Sequence, residues 1–201
     1  MGRPKEHDAR TRALLLDTAE DLIAEHGPQA LSVRGLADTA GTSTRAVYSL
    51  FGSKAGLLAA LATRLFEMLA AAVDATPRTA DPVADIITAS LDGFRRVALE
   101  HPALYRLVFL QVVPDLELGQ PFTDAADAAF GRLEELLHRL GTTSGLLGHS
   151  PGQAARTVHA LTEGLATMEL RGGLRRDAEE TWRNALDALL RGLTATVPPR
   201  C

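Results

Sequence analysis

LSVRGLADTAGTSTRAVYSLFGSK, the run from Leu31 to Lys54, decides the fold. Two short amphipathic helices can be read from it. Ser32 can cap the first, which ends at Ala40, and Ser43 can cap the second, which ends near Phe51, because a serine hydroxyl can accept a bond from an unpaired amide of the first turn. Gly41 supplies the tight turn between them and Gly52 stops the second. Val33, Leu36 and Ala37 can then face Val47, Leu50 and Phe51 across a small core, which is the pattern of a helix-turn-helix. The opposite side of the second helix is polar. Thr44, Arg45, Tyr48 and Ser49 project from it, and a helix presented by its amino end in this way fits the major groove of DNA.

Working outward, the pattern stays helical. Before the run, a helix from Asp8 to His26 places Leu15, Ala19, Leu22, Ile23 and His26 on one face, and Gly27-Pro28 ends it. After it, Ser53 can cap a long helix reaching Thr76-Pro77. Asp81-Pro82 opens a helix to about Glu100, and His101-Pro102 opens another ending near Pro114, since proline at a first helical position loses no hydrogen bond. A helix from Pro121 to Leu140 precedes a flexible stretch, Gly141 to Gly145, and a loop over 142–149. Ser150-Pro151 begins a helix to Arg171, and Asp177 begins the last, to about Thr196. The reading is all-α, with about nine helices: an N-terminal three-helix helix-turn-helix domain over 1–55 and a C-terminal helical domain over 56–201.

Composition narrows the function. Of 201 residues 46% are hydrophobic and only 4% aromatic, so a core is within reach of a helical chain rich in Ala and Leu. The lone Cys201 excludes an internal disulfide and suits a cytoplasmic protein. The apolar run Leu57–Ala75 is broken by Arg64, Glu67 and Asp74, which argues against a membrane span. The net charge of −4 argues against a general polyanion binder. Its distribution is more telling. Arg3, Lys5, Arg10 and Arg12 outnumber Glu6 and Asp8 in residues 1–16. Asp17, Glu20, Asp21 and Glu25 then stand without a Lys or Arg, and Arg34, Arg45 and Lys54 outnumber Asp38 in residues 28–60. Any DNA contact would be narrow.

The series Ala37-Asp-Thr-Ala-Gly-Thr-Ser43, Val47-Tyr48, Phe51, Ser53-Lys54 and Leu57-Leu58, after a helix ending in Gly27 and followed by Leu31-Ser32-Val33, resembles the DNA-binding domain of TetR/AcrR-type regulators. That resemblance implies a small N-terminal reader and a larger regulatory domain. Tyr48 and Lys54 would hold phosphates, with Arg34 as a further candidate. Thr42, Ser43, Thr44, Arg45 and Ser49 lie along the expected DNA face, and Thr44 and Arg45 are the candidates for base reading, Arg45 because a guanidinium matches the two acceptors of guanine. Thr42, Arg45, Ser49 and Leu50 depart from the family's usual residues, so its operator sequences do not transfer.

The C-terminal half offers a sensor and a dimer face. Phe94, Tyr105, Val108, Phe109, Gln111 and Val112 fall in a stretch apolar on nearly every side, which should be buried and can line a pocket. The run from His101 to Phe109 resembles a subgroup of TetR-like regulatory domains. His159, Thr162, Glu163 and Ala166 share one face of their helix and complete the candidate ligand set, with plain core packing or a surface ion pair as the competing readings. Leu161, Leu165, Met168, Trp182, Leu186, Leu189 and Leu190 form apolar stripes that can meet a second copy in a four-helix interface. The expected partners are double-stranded operator DNA, a partly hydrophobic small-molecule effector and a second copy of the chain, with no membrane, metal or cofactor. Two other classes compete: a helical enzyme using His159 and Glu163, for which no nucleophile and base set appears, and a helix-turn-helix that has turned to binding protein.

Overall fold

The computed structural model describes residues 3–174 and 176–194, with the backbone alone for 3–7. The side chains of Arg3 and Lys5, Cys201, and the expected helix end near Thr196 lie outside the described residues. The elements in order are α1 (Arg3–His26), α2 (Val33–Thr39), α3 (Thr44–Phe51), α4 (Lys54–Asp74), α5 (Pro82–Thr88), a π-helical segment (Ala89–Arg95), α6 (Arg96–Glu100), α7 (Pro102–Phe109), α8 (Gly119–Ser144), α9 (Pro151–Leu170) and α10 (Ala178–Thr194). α5, the π segment and α6 form one rod, since Ala89 and Arg96 keep helical dihedrals at the joins. Counted so, the described residues form nine helical rods and no strand.

They pack as two compact units. One runs to Phe66 and takes back His101–Ala125; the other comprises Glu67–Glu100 and the residues from Ala126 onward. The division falls inside α4. In the first unit Leu15, Ala19 and Ile23 of α1, Leu36 and Ala37 of α2, Val47 and Phe51 of α3, and Leu57 and Leu61 of α4 are buried together with Leu104 and Tyr105 of α7. Arg64 of α4 pairs with Asp17 of α1 at 2.6 Å. His26, expected on the inner face, is instead exposed beside Glu25, because α1 ends at Gly27 and its last turn leaves the core.

In the second unit α9, α10, α5 and the π segment pack around Trp182, Leu186, Leu190, Val158 and Ile86. The sequence pattern predicts an unbroken α-helix from 82 to 100, but the turn widens over Ala89–Arg95. This segment buries Gly93 against Ala72, where a Cβ would lie 3.5 Å from the alanine methyl. α7 stops at Phe109, short of Pro114, because Gln111 adopts a left-handed φ of 45° that cannot continue the helix. The stretch expected to be flexible, 141–145, is helical as far as Ser144. Gly141 leaves room for the buried Leu146, which turns back onto it and closes the end of α8.

α4 is long and apolar enough to cross a membrane by length and composition, yet 50% of its most apolar window is buried inside the protein.

Candidate nucleic-acid interface

The three serines expected to start helices in this part of the chain all do so. Ser32 Oγ accepts from the Gly35 amide at 3.0 Å, Ser43 Oγ from the Ala46 amide at 3.2 Å, and Ser53 Oγ from the Gly56 amide at 3.0 Å. Gly41 (φ 64°) and Gly52 (φ 72°) take left-handed turns at the two ends of the α3 region, conformations that a side chain resists. Gly56 is a further requirement that sequence reading missed. A Cβ there would collide with the Phe51 carbonyl oxygen, so only glycine lets the first turn of α4 pass beneath the end of α3. A glycine one turn after a capping serine was the available signal.

With both ends fixed and Val47 and Phe51 buried, the other side of α3 faces solvent. Ser43, Thr44, Arg45 and Ser49 are exposed, and Tyr48 is 54% exposed, so it is not a core aromatic. Thr42 is half-buried in the turn. Arg34 extends from α2 into solvent, with Asp38 no closer than 4.0 Å. Lys54 is half-buried, and its Nζ donates to the Gln29 carbonyl at 3.2 Å, which leaves two ammonium protons for another acceptor. Arg12 of α1 lies over the Phe51 ring at 5.3 Å. The arrangement presents donors and hydroxyls on a rigid base, a surface able to bind anions and base edges.

The expected ligand residues fall into two groups, one in each unit. In the first, the Tyr105 and Phe109 rings lie 4.8 Å apart, and Phe109 meets Phe66 at 5.8 Å. Phe66 in turn meets Phe122 edge-on at 5.3 Å. Sequence reading missed Phe66 and Phe122, since neither lies in the apolar stretch. Tyr105 is buried, whereas Val108, Phe109 and Val112 are half-buried and Gln111 is exposed, so the stretch is less enclosed than its composition predicts. In the second unit, Phe94 meets the His159 ring edge-on at 5.9 Å, and His159 Nε2 stands 3.7 Å from Glu163. Burial pushes the His159 imidazole below its ordinary pKa, against the opposing pull of Glu163. Thr162 and Ala166 are buried, and the Thr162 hydroxyl donates to the His159 carbonyl at 2.9 Å. Among the described residues no cluster of three or more His, Cys, Asp or Glu could hold a metal.

The dimer stripe needs correction. Trp182, Leu186 and Leu190 have no exposed surface and Leu165 little, because α10 packs on α9, α5 and the π segment of its own chain. Met168 is half exposed, and Leu161 and Leu189 are partly so. The indole of Trp182 instead donates to Glu169 at 2.9 Å, and Arg95 binds the same carboxylate through Nε at 2.9 Å and a terminal nitrogen at 2.7 Å.

Comparison with known proteins agrees with this architecture. Residues 15–61 match the model for bacterial regulatory proteins of the tetR family, and residues 87–189 match the tetracyclin repressor-like C-terminal domain. No curated protein matches the sequence. Among solved structures, a protein of unknown function from a Rhodococcus species is similar at 25% identity and a TM-score of 0.79, over 92% of this chain and 95% of that one. The TetR family transcriptional regulator PfmR from Thermus thermophilus is similar at 26% identity and a TM-score of 0.67, over 89% of this chain and 98% of that one. FadR from Bacillus subtilis, solved with stearoyl-CoA, shares the fold at 16% identity and a TM-score of 0.75, over 90% of this chain and 98% of that one. With family models matching both the helix-turn-helix and the larger helical part, the chain belongs to the TetR family of transcriptional regulators.

Proposed function

We propose that this regulator is a ligand-responsive repressor that binds a near-palindromic operator as a homodimer in the cytoplasm. Residues 1–55 form the DNA-binding part and 56–201 the sensing and dimerising part. The observation that carries the reading is the two-sidedness of α3: Val47 and Phe51 are buried, while Thr44, Arg45, Tyr48 and Ser49 stand in solvent. Arg45 and Thr44 read base edges, and Tyr48, Lys54 and Arg34 hold phosphates. Two such helices would sit roughly 34–36 Å apart in successive major grooves.

The surface for a second copy is narrower than the full leucine stripe. It comprises Leu161, Gly164 and Met168 of α9 with Leu189 and Gly192 of α10, all at least partly exposed, and open space around the two glycines permits close approach. The effector is partly hydrophobic. The aromatic run Tyr105–Phe109–Phe66 supports this, as does the stearoyl-CoA held by the B. subtilis protein of the same fold. Its binding lowers operator affinity by about 1–3 kcal/mol of coupling.

Selection of binding sites from a random duplex pool tests the reading. The expected product is a sequence with two related half-sites about one helical turn apart, bound more weakly as salt rises. A pool that shows no enrichment overturns DNA reading, and a strict monomer in sedimentation at micromolar concentration overturns the dimer.

A further inference from the structure

The chain returns from the second unit to the first between Glu100 and His101. His101 occupies the N-cap of α7, yet its side chain makes no capping bond. It reaches across instead to α1, where its Nδ1 lies 2.7 Å from Glu20 Oε1. The bond is shielded, with only 27% of the histidine side chain and 13% of the glutamate side chain exposed. Glu20 follows Ala19 in sequence and precedes Ile23 by one turn, and both belong to the buried face of α1. A pull on Glu20 is therefore a pull on the helix that carries the reader's core.

The far end of α7 is tied as well. Beyond the left-handed Gln111, the Val112 carbonyl accepts from Gln29 Nε2 at 3.3 Å, and the Gln29 carbonyl accepts from Lys54 Nζ at 3.2 Å. α7 is thus strapped to the reader at both ends, and the second strap continues to a residue on the DNA face. Packed interiors transmit small shifts because they cannot absorb them.

We infer that Glu20 and His101 are positioning residues for the recognition helix. The bond fastens α7 to α1, and α2 and α3 both pack on α1, so losing it loosens the base on which the recognition helix stands. A clip that served only to start α7 would use the vacant capping position; this one leaves that position unfilled and holds a different helix. The inference rests on the DNA-reading function proposed above.

The test uses the full chain with His101→Ala, His101→Gln, Glu20→Ala and the double alanine variant. Amide hydrogen exchange is followed without DNA, and affinity is measured for the duplex recovered from the random pool. Each alanine variant is expected to speed exchange across α1 to α3 while leaving α9 and α10 unchanged, and to weaken the duplex about tenfold, a typical size for coupling between sites. The double variant should be no weaker than either single one, because both remove the same bond. His101→Gln, whose amide can donate to Glu20, should restore most of the affinity and the protection. Exchange that changes only in the first turn of α7, or single effects that multiply in the double variant, would overturn the assignment. If no duplex is enriched, DNA reading fails, while the exchange pattern still decides whether this bond holds α3.

Discussion

The solvent face of α3 and the interior of the second unit are built from similar residues and put them to opposite use. On α3 the guanidinium of Arg45 and the hydroxyls of Thr44 and Ser49 are exposed, ready for an acceptor from outside. In the second unit, Arg95 and Trp182 both donate to Glu169. Arg139 and the Thr79 hydroxyl likewise donate to Asp85, which is 2% exposed. The difference shows that residue type alone does not make a binding group. A donor recognises a ligand when the fold leaves it in water on a rigid base; the same donor beside a buried carboxylate specifies packing.

The comparison can be broken first at Glu169. Glu169→Ala strands the Arg95 guanidinium and the Trp182 N–H, and should lower unfolding free energy by about 3 kcal/mol, the lower end for breaking a buried pair because Arg95 keeps some contact with water. Urea denaturation measures this, and a change below about 1 kcal/mol would show that the network is not holding the unit. Asp85 gives the next largest effect and adds a pH signature. Burial pushes its carboxyl up, but hydrogen bonds from Thr79 and Arg139 outweigh it and hold the pKa below the usual carboxylate value. Its stabilising contribution is therefore complete above about pH 4 and is lost as pH falls through the lower folded value. Asp85→Asn should cost about 2 kcal/mol at neutral pH, as for a lost charge-assisted hydrogen bond, and should flatten the acid limb of stability against pH. An unchanged acid limb would remove Asp85 from that role.

The first unit is sharpened by three further changes. Gly56→Ala forces the Phe51 carbonyl aside and should destabilise by about 1–3 kcal/mol, with operator affinity falling in parallel. Thermal unfolding beside a binding titration checks whether the two move together. Arg45→Ala should leave the unfolding midpoint unchanged while removing about 1–3 kcal/mol of discrimination at one base pair, read by competition among single-substitution operators. Lys54→Ala should weaken all duplexes alike and reduce the slope of log affinity against log salt by about 1. A sequence-dependent loss at Lys54, or a uniform one at Arg45, would exchange their roles.

Much of the reader was legible because its signals are local. A capping serine, a glycine at a left-handed turn and apolar spacing along one helix act within a few residues, and Ser32, Ser43, Ser53, Gly41 and Gly52 each do what short-range geometry requires. The exposed residues of α3 could be named for the same reason: a short helix with Val47 and Phe51 inward has its other face outward. Gly56 escaped notice because its need arises where the backbone of α4 passes the end of α3, not from its own helix.

The second unit was less legible because its decisive contacts are distant in sequence. Arg95 and Glu169 are 74 residues apart, and Asp85 and Arg139 are 54 apart. A leucine stripe states that a face is apolar but not what covers it, so Trp182, Leu186 and Leu190 looked available to a second copy until the fold placed them under their own α9 and α5. The sequence by itself determined that the chain is helical, where most helices begin, and which side of α3 is polar, since hydrogen bonding and amphipathic spacing are settled within a few turns. Only the tertiary structure decided which stripes close on each other, that α7 packs with the reader, and that His101 meets Glu20. Those outcomes depend on how whole faces compete for burial, and no local pattern encodes that competition.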